Sequence, residues 1–204
     1  MIGQIATHHW PDEVRIAVIS PNDDRAWQWL DGLPHSIKFI EKPTGENGSE
    51  EEWLSKALDA VESELQTREQ WLAVENKGEN GQINGSPPLP RIVIILDALP
   101  EYFCHPGLML LLERGKYLGV YSLFLKRRMQ DVPGKCRAVV QTQRDQLTLR
   151  EAGGEGNMIK CRPDLLDENR AKALVQALAD IKWPNAEDLS QPPALVTLLE
   201  LFGV

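Results

Sequence analysis

The sequence predicts an α/β fold with three layers, in which helices cover both faces of a mainly parallel sheet. Two mostly apolar runs, RIVIILD at 91–97 and GVYSLFL at 119–125, do not alternate with polar residues. Such runs are typical of strands that are buried on both faces. A short apolar helix at 106–112 separates them, and a strand, a helix and a strand in this order give parallel strands. We therefore expect a Rossmann-like domain.

The residues before this unit supply further elements. Residues 1–10 have the apolar spacing of the last turns of a helix, which suggests a piece of a longer protein. VRIAVI at 14–19 predicts a second strand. A short helix that carries Trp27 and Trp29 follows it, and residues 37–40 are interpreted as a short strand.

A long helix is expected to begin at Ser49. The Ser49 hydroxyl can cap its first turn, and Glu52 stands three residues further on, as in a capping box. The apolar stripe of this helix consists of Leu54, Leu58, Val61, Leu65 and Leu72, with Trp53 and Ala57 beside it. We expect this stripe to lie against the sheet.

The elements after residue 125 are a hairpin and a helix. CRAVVQ at 136–141 and QLTLR at 146–150 predict a small hairpin at the edge of the sheet. The last large helix is expected to begin at Pro163 or Asp164. Its apolar face is predicted to consist of Leu166, Ala173, Leu174, Ala177, Leu178 and Ile181.

We expect the α/β domain to span residues 1–183, with one long loop inside it and a tail after it. Residues 75–90 have almost no apolar content and predict a mobile loop. Residues 184–204 predict a linker and a short apolar helix that needs a surface to cover it. Its candidate residues for docking to a partner are Leu195, Leu198, Leu199 and Phe202.

Composition excludes several classes of function. The 204 residues carry a formal net charge of −8, which argues against general binding of nucleic acid, because that affinity comes from Lys and Arg neutralising phosphates. The chain shows no cleavable signal and no run of about 18 apolar residues, so we expect no membrane span in it. Cys104, Cys136 and Cys161 are odd in number and widely spaced, which favours a reducing compartment such as the cytoplasm.

Asp97 is the first candidate functional residue. An apolar strand that ends in an acid is typical of P-loop NTPases, where the carboxylate faces nucleotide and Mg²⁺. The chain has no G-x-x-x-x-G-K-[ST] and no G-x-G-x-x-G, and its one dense glycine cluster, at 153–156, has no lysine. Ala98 stands where an ATPase usually has a Glu. We therefore interpret β-strand 91–97 as a degenerate form of that strand and expect no cofactor in this segment.

Lys126, Arg127 and Arg128 form the one basic cluster in this acidic chain. At the end of a parallel strand they would face the edge where α/β folds bind ligands. Solvated surface, a contact with a protein and a site for an anion all remain open for this cluster.

The histidines favour structural roles. His8 and His9 point to different faces, and His105 with Cys104 has no third ligand at helical spacing, so we interpret these as surface or turn residues and expect no metal site. His35 ends the motif W-x-W-L-x-x-L-P-H, where a structural cap is favoured over catalysis. Trp27 and Trp29 are two positions apart, so we expect one in the core and the other against the turn at 33–35.

Six stretches of the chain form a recognisable set. They are QIATHHWPDEVRIAVIS (4–20), WQWLDGLPH (27–35), PLPRIVIILDA (88–98), LLERGKYLGVYSLFL (111–125), DVPGKCRAVV (131–140) and PPALVTLLELFGV (192–204). In this order they resemble the segment between the membrane helices and the first full ATPase domain of FtsK/SpoIIIE-type ATPases of type VII secretion systems, the EssC/EccC family. The resemblance extends from one end of the chain to the other.

The resemblance implies a non-catalytic, ATPase-like module at the cytoplasmic face of the cell membrane. ATP and Mg²⁺ would belong to motor domains elsewhere in the parent protein, and the membrane would be reached only through helices outside these residues. The implied partners are the neighbouring ATPase domain and further copies of the same protein, with Trp27, His35 and the apolar tail as docking candidates. The alternatives are a stand-alone Rossmann-like enzyme that uses Asp97 and the basic cluster, or a module that senses nucleotide.

Overall fold

A computed structural model describes residues 2–21, 26–42, 49–75, 89–100, 104–143, 146–151, 158–162 and 167–181. Its main sheet has four strands, β1 (Val14–Ile19), β2 (Ser36–Ile37), β3 (Arg91–Asp97) and β4 (Val120–Leu125). The strand order is β2-β1-β3-β4, and all three pairings are parallel. The α/β class and the parallel sheet predicted from the sequence are confirmed.

Four α-helices accompany the strands in the described ranges: α1 (Ile2–His8), α2 (Glu50–Glu75), α3 (Pro106–Arg114) and α4 (Glu168–Ala179). Two separate clusters of buried side chains form the core. One contains residues of α2 and α3, and the other contains residues of α1, α4 and a 3₁₀ helix at Gln28–Gly32. Both clusters include residues of β1 and β3, so the sheet is the middle of three layers.

Strand β3 is one of the two inner strands of the sheet, as its uninterrupted apolar run predicts. Ile94 packs in the cluster with α2, and the adjacent Ile95 packs in the other cluster. Both side chains are fully buried. Because successive side chains of a strand point to opposite faces, an inner strand that is covered on both faces needs apolar residues at consecutive positions, here from Ile92 to Leu96.

Helix α2 begins as predicted. The backbone N–H of Glu52 donates to Ser49 Oγ over 3.1 Å. The Glu52 carboxylate accepts from Lys56 at 2.7 Å, so the described contacts form the Ser half of a capping box. The predicted apolar stripe is buried from Leu54 to Leu65, and Leu72 is partly buried at its end.

The predicted edge hairpin is wrong in its placement. Strands β5 (Ala138–Gln143) and β6 (Gln146–Glu151) do form a hairpin, but they pair with β7 (Met158–Cys161) in a separate antiparallel sheet of order β5-β6-β7. Strand β7 was not predicted, because its four residues are too short to give a pattern. It uses the edge of β6 that the hairpin leaves unpaired.

Three local predictions also need correction. The strand predicted at 37–40 is the two-residue β2, and the helix predicted to carry Trp27 is the 3₁₀ helix at Gln28–Gly32. Helix α4 is capped by Asp167, whose Oδ1 accepts from the N–H of Arg170 at 2.9 Å. Its buried face consists of Ala171, Val175 and Leu178, with Leu174 half-buried, whereas Ala173, Ala177 and Ile181 are exposed.

Helix α3 ends at Arg114, directly before Gly115. Gly115 keeps right-handed helical geometry, and the chain continues as a 3₁₀ helix at Gly115–Leu118. The reversal into β4 occurs at Gly119, whose φ of 72° lies in the left-handed region that favours glycine.

Several predictions fall on residues outside the described ranges. They are the loop at 76–88, Leu166 of the predicted last helix, and the tail with Leu195, Leu198, Leu199 and Phe202. The division at residue 183 likewise stays a prediction. Within the ranges that are described, no helix combines the length and the apolar character that a membrane span requires.

Candidate functional site

The strand order creates a topological switch point between β1 and β3. From β1 the chain goes first to β2 on one side and later to β3 on the other side. In open α/β sheets, ligands bind in the crevice at the carboxyl ends of the two strands that flank such a point. Here those ends carry Ser20, directly after β1, and Asp97 at the end of β3.

Trp27 occupies this crevice beside Asp97. Its indole Nε1–H donates to Asp97 Oδ2 over 2.9 Å, across 70 positions of the chain. Trp27 and Trp29 are both half-buried, and both pack against the cluster of α1 and α4. The prediction that one of them is a core residue is therefore wrong.

The backbone after Asp97 turns sharply. Ala98 has a φ of 53°, in the left-handed region that side chains other than glycine rarely adopt. Leu99, which follows, is buried, and its carbonyl oxygen accepts from Lys126 Nζ at 2.6 Å. The ammonium of Lys126 thus ties the end of β4 to the turn after β3.

A depression of about 680 Å³ lies at these two strand ends. It is lined by Asp97, Ala98, Leu99, Leu125, Lys126, Arg127, Arg128 and Asp131. The structure therefore brings the predicted basic cluster and Asp97 to one place. Arg128 also pairs with Asp131 at 3.0 Å. With three cations and two carboxylates in its lining, the depression suits a polar or acidic segment of a partner.

We expect Trp27→Phe to lower the free energy of unfolding by about 1.5 kcal/mol, because it removes a hydrogen bond to a charged acceptor that is only partly shielded from water. Urea unfolding measures this value. Trp29→Phe makes the same chemical change next to it and serves as the control. In an Asp97→Asn background the loss should be smaller, and an unchanged loss would show that the contact with the Asp97 charge contributes nothing.

His35 is an interior residue. Its side chain is 0% exposed, and Nε2 lies 2.8 Å from the carbonyl oxygen of His9, to which it donates. This bond ties the residue after α1 to the turn before β2, which fits the structural role favoured from the sequence. The prediction of His35 as a docking residue is corrected, since a fully buried side chain cannot touch a partner.

Burial lowers the pKa of His35 below its ordinary value near 6.5, and the nearby Arg15 and His9 act in the same direction, while the bond to His9 opposes them. The folded protein therefore keeps His35 neutral where the unfolded chain already takes up a proton. The contribution of His35 to the free energy of unfolding is fully present above about pH 6.5, and it is lost as the pH falls below that value.

We expect the wild-type free energy of unfolding to fall more between pH 7.5 and pH 5.5 than that of His35→Gln. Denaturation in urea at several pH values measures the difference. His8→Gln changes an exposed histidine and should keep the wild-type profile. Parallel profiles for wild type and His35→Gln would show that His35 titrates alike in both states.

His105 lies in the one group of potential metal ligands found among the described residues, with Asp59 and Glu62. Its Nδ1 accepts from the N–H of Gly107 at 3.1 Å, which caps α3. The proton of the neutral ring is then on Nε2, which faces Asp59 at 3.3 Å. His105 is therefore a buried helix cap rather than a surface residue, and its Nε2 is placed to donate rather than to bind a cation.

Comparison of the chain with protein-family models and with curated proteins finds no match. The site is thus interpreted from its own residues and from the sequence resemblance alone.

Proposed function

We propose that this chain is a non-catalytic, degenerate P-loop-NTPase-like module of a membrane-anchored FtsK/SpoIIIE-family translocation ATPase of type VII secretion. In this role it couples or regulates the motor domains at the cytoplasmic face of the membrane, within an oligomer of the parent protein. The sequence resemblance supplies the family, and the parallel α/β sheet is the architecture that such a module requires.

The observation that carries the proposal is the hydrogen bond between Trp27 and Asp97. In a working P-loop NTPase the carboxylate at this strand end serves Mg²⁺ and its bound water. Here one of its oxygens accepts an indole N–H, and the apolar ring lies in the crevice that a nucleotide would use. Ala98, in place of a Glu, offers no group to orient water.

The basic residues at the same edge support a role in contact rather than in chemistry. Lys126 is bonded to the Leu99 carbonyl and Arg128 to Asp131, so both stabilise the chain's own turns. Arg127 is exposed beside them. A surface of this kind suits a neighbouring domain that moves against it, which is the coupling that we propose.

The test uses the full-length protein. We expect Asp97→Asn to leave its ATP hydrolysis unchanged, because this strand end is not catalytic. We expect Leu199→Asp to reduce secretion while membrane insertion persists, because the apolar tail at 192–204 is proposed to dock on the next ATPase domain.

Ile181→Asp is the control for the tail, since it adds the same charge at an exposed position two residues after the end of α4. Loss of ATP hydrolysis in Asp97→Asn would contradict the proposal that this strand end is not catalytic. Unchanged secretion in Leu199→Asp would contradict the proposal that the tail docks on the next ATPase domain.

A further inference from the structure

The small sheet of β5, β6 and β7 has two different faces. Successive side chains of a strand alternate between the faces, and directly paired residues share a face. The register pairs Leu149 with Val140 and with Ile159, which makes one face apolar. Arg150 and Lys160 each come one residue after a residue of this apolar face, so they lie on the opposite face.

Four exposed basic residues form a row across this opposite face, which we call the basic face. Arg150 and Lys160 lie in β6 and β7, Arg137 stands directly before β5, and Arg162 directly follows β7. The register sets them about two residues apart along the strands, so the row is about 20 Å long at about 3.4 Å per residue. Within the ranges that the structure describes, none of the four pairs with a carboxylate. Their charges are therefore available to a partner.

Helix α2 carries the opposite charge. Its 26 residues include eight acids and two basic residues. Four of the acids lie within about 100° of one another around the helix axis and form a row about 26 Å long. They are Glu52, Asp59, Glu62 and Glu69, and none of them is buried. Exposed ion pairs with Lys56 and Arg114 offset only two of these charges.

The two rows are equal in number of charges, similar in length and opposite in sign. We propose that the basic face of one copy of this chain docks on the row of acids on α2 of a second copy. Two basic faces would repel each other, so the contact joins different surfaces, and repeated contacts of this kind close into a ring. The proposal rests on the proposed function only in placing several copies of the chain in one oligomer.

An acidic protein surface suits the basic face better than a nucleic acid or a membrane does. The three strands contain no aromatic residue on which a base would stack. The exposed apolar side chains of Val140 and Ile159 lie on the opposite face, so the cations and an apolar anchor do not meet a bilayer together. A row of carboxylates needs neither feature.

Small-angle X-ray scattering of the 204-residue chain tests the contact. In about 0.1 M NaCl the Debye length is about 10 Å, so rows in contact attract while the net charges of two copies are largely screened. We expect the average mass to rise with concentration up to about 1 mM, because exposed ion pairs are individually weak. In about 1 M NaCl, where the Debye length is about 3 Å, the affinity should fall about tenfold or more.

Two charge-reversed variants identify the surfaces. The sheet variant combines Arg150→Glu with Lys160→Glu, and the helix variant combines Glu62→Lys with Glu69→Lys. Each alone should associate about tenfold more weakly than wild type or worse, because like charges then face each other. An equal mixture of the two should associate again, because the basic face of the helix variant meets the acids of the sheet variant.

The control combines Arg170→Glu with Lys172→Glu. It makes the same change in net charge as the sheet variant, but on α4, where both side chains are exposed. We expect it to keep the wild-type affinity, since α4 takes no part in the contact.

A wild-type chain that stays monomeric at the highest concentration would overturn the proposal, and so would a mixture that associates no better than its components. Association that persists at high salt and in the sheet variant would also overturn it, because apolar residues would then form the contact. Binding to vesicles of phosphatidylserine, lost in the sheet variant and without self-association of the wild type, would assign the basic face to a membrane instead. None of these results changes the ATP hydrolysis or secretion expected above, so failure of this contact is distinct from failure of the proposed function.

Discussion

Replacing Arg68 by Met is expected to lower the free energy of unfolding by about 3–5 kcal/mol, the cost typical of removing one partner from a buried ionic contact. Arg68 is 3% exposed and lies in the second half of α2. Its Nε donates to Glu64 at 2.7 Å, and its two terminal nitrogens donate to the carbonyl oxygens of Leu118 and Pro90 at 3.1 and 2.8 Å. One side chain thereby joins α2 to the chain just before β3 and just before β4.

The control for this substitution is Arg114→Met. Arg114 of α3 pairs with Glu69 of α2, the helix that also carries Arg68. Both side chains of this pair are well exposed. Exposed pairs contribute about 0–1 kcal/mol. Urea unfolding of both variants separates the two cases. Similar, small losses of the free energy of unfolding in both variants would show that water hydrogen-bonds to the carbonyl oxygens that lose Arg68 as their donor.

Replacing Leu58 by Ala is expected to cost about 2–5 kcal/mol, because the cavity that it leaves lies between α2, α3 and the sheet. Leu58 is 0% exposed in the cluster that contains Ile94 and Leu96 of β3. A Cβ on Gly107 would lie 2.4 Å from the Leu58 carbonyl oxygen, so α3 passes α2 in close contact. Helices in such close contact have little freedom to close a cavity.

Leu72→Ala provides the matched control on α2, since Leu72 is only partly buried. We expect a clearly smaller loss in the same urea experiment. If Leu58→Ala and Leu72→Ala lose stability equally, the helix pair rearranges to fill the space, and the packing is looser than the close contact at Gly107 indicates.

The sequence predicts the elements whose signals are local. The apolar run of β3 and the Ser49 cap of α2 both depend on residues that are neighbours in the chain, and both are confirmed. The face of α4 was misjudged because Ala173 and Ala177 are too small to mark a buried stripe. The placement of the hairpin was misjudged because its pairing with β7 depends on contacts that no local pattern shows.

The candidate site also has parts that local sequence patterns predict and parts that depend on distant contacts. The basic cluster at the end of β4 was placed correctly, because the end of a parallel strand can be recognised from its apolar run. The bond between Trp27 and Asp97 joins residues 70 positions apart. Such contacts arise only when the sheet and helices are assembled.

Calorimetric titration of the chain with Mg-ATP tests most directly whether this α/β fold is a non-catalytic module. We predict no binding in the micromolar range, for the wild type and for Asp97→Asn alike, because the indole of Trp27 lies in the crevice and the sequence has no phosphate-binding loop. Micromolar affinity in the wild type that is lost in Asp97→Asn would contradict this prediction and would favour a module that senses nucleotide.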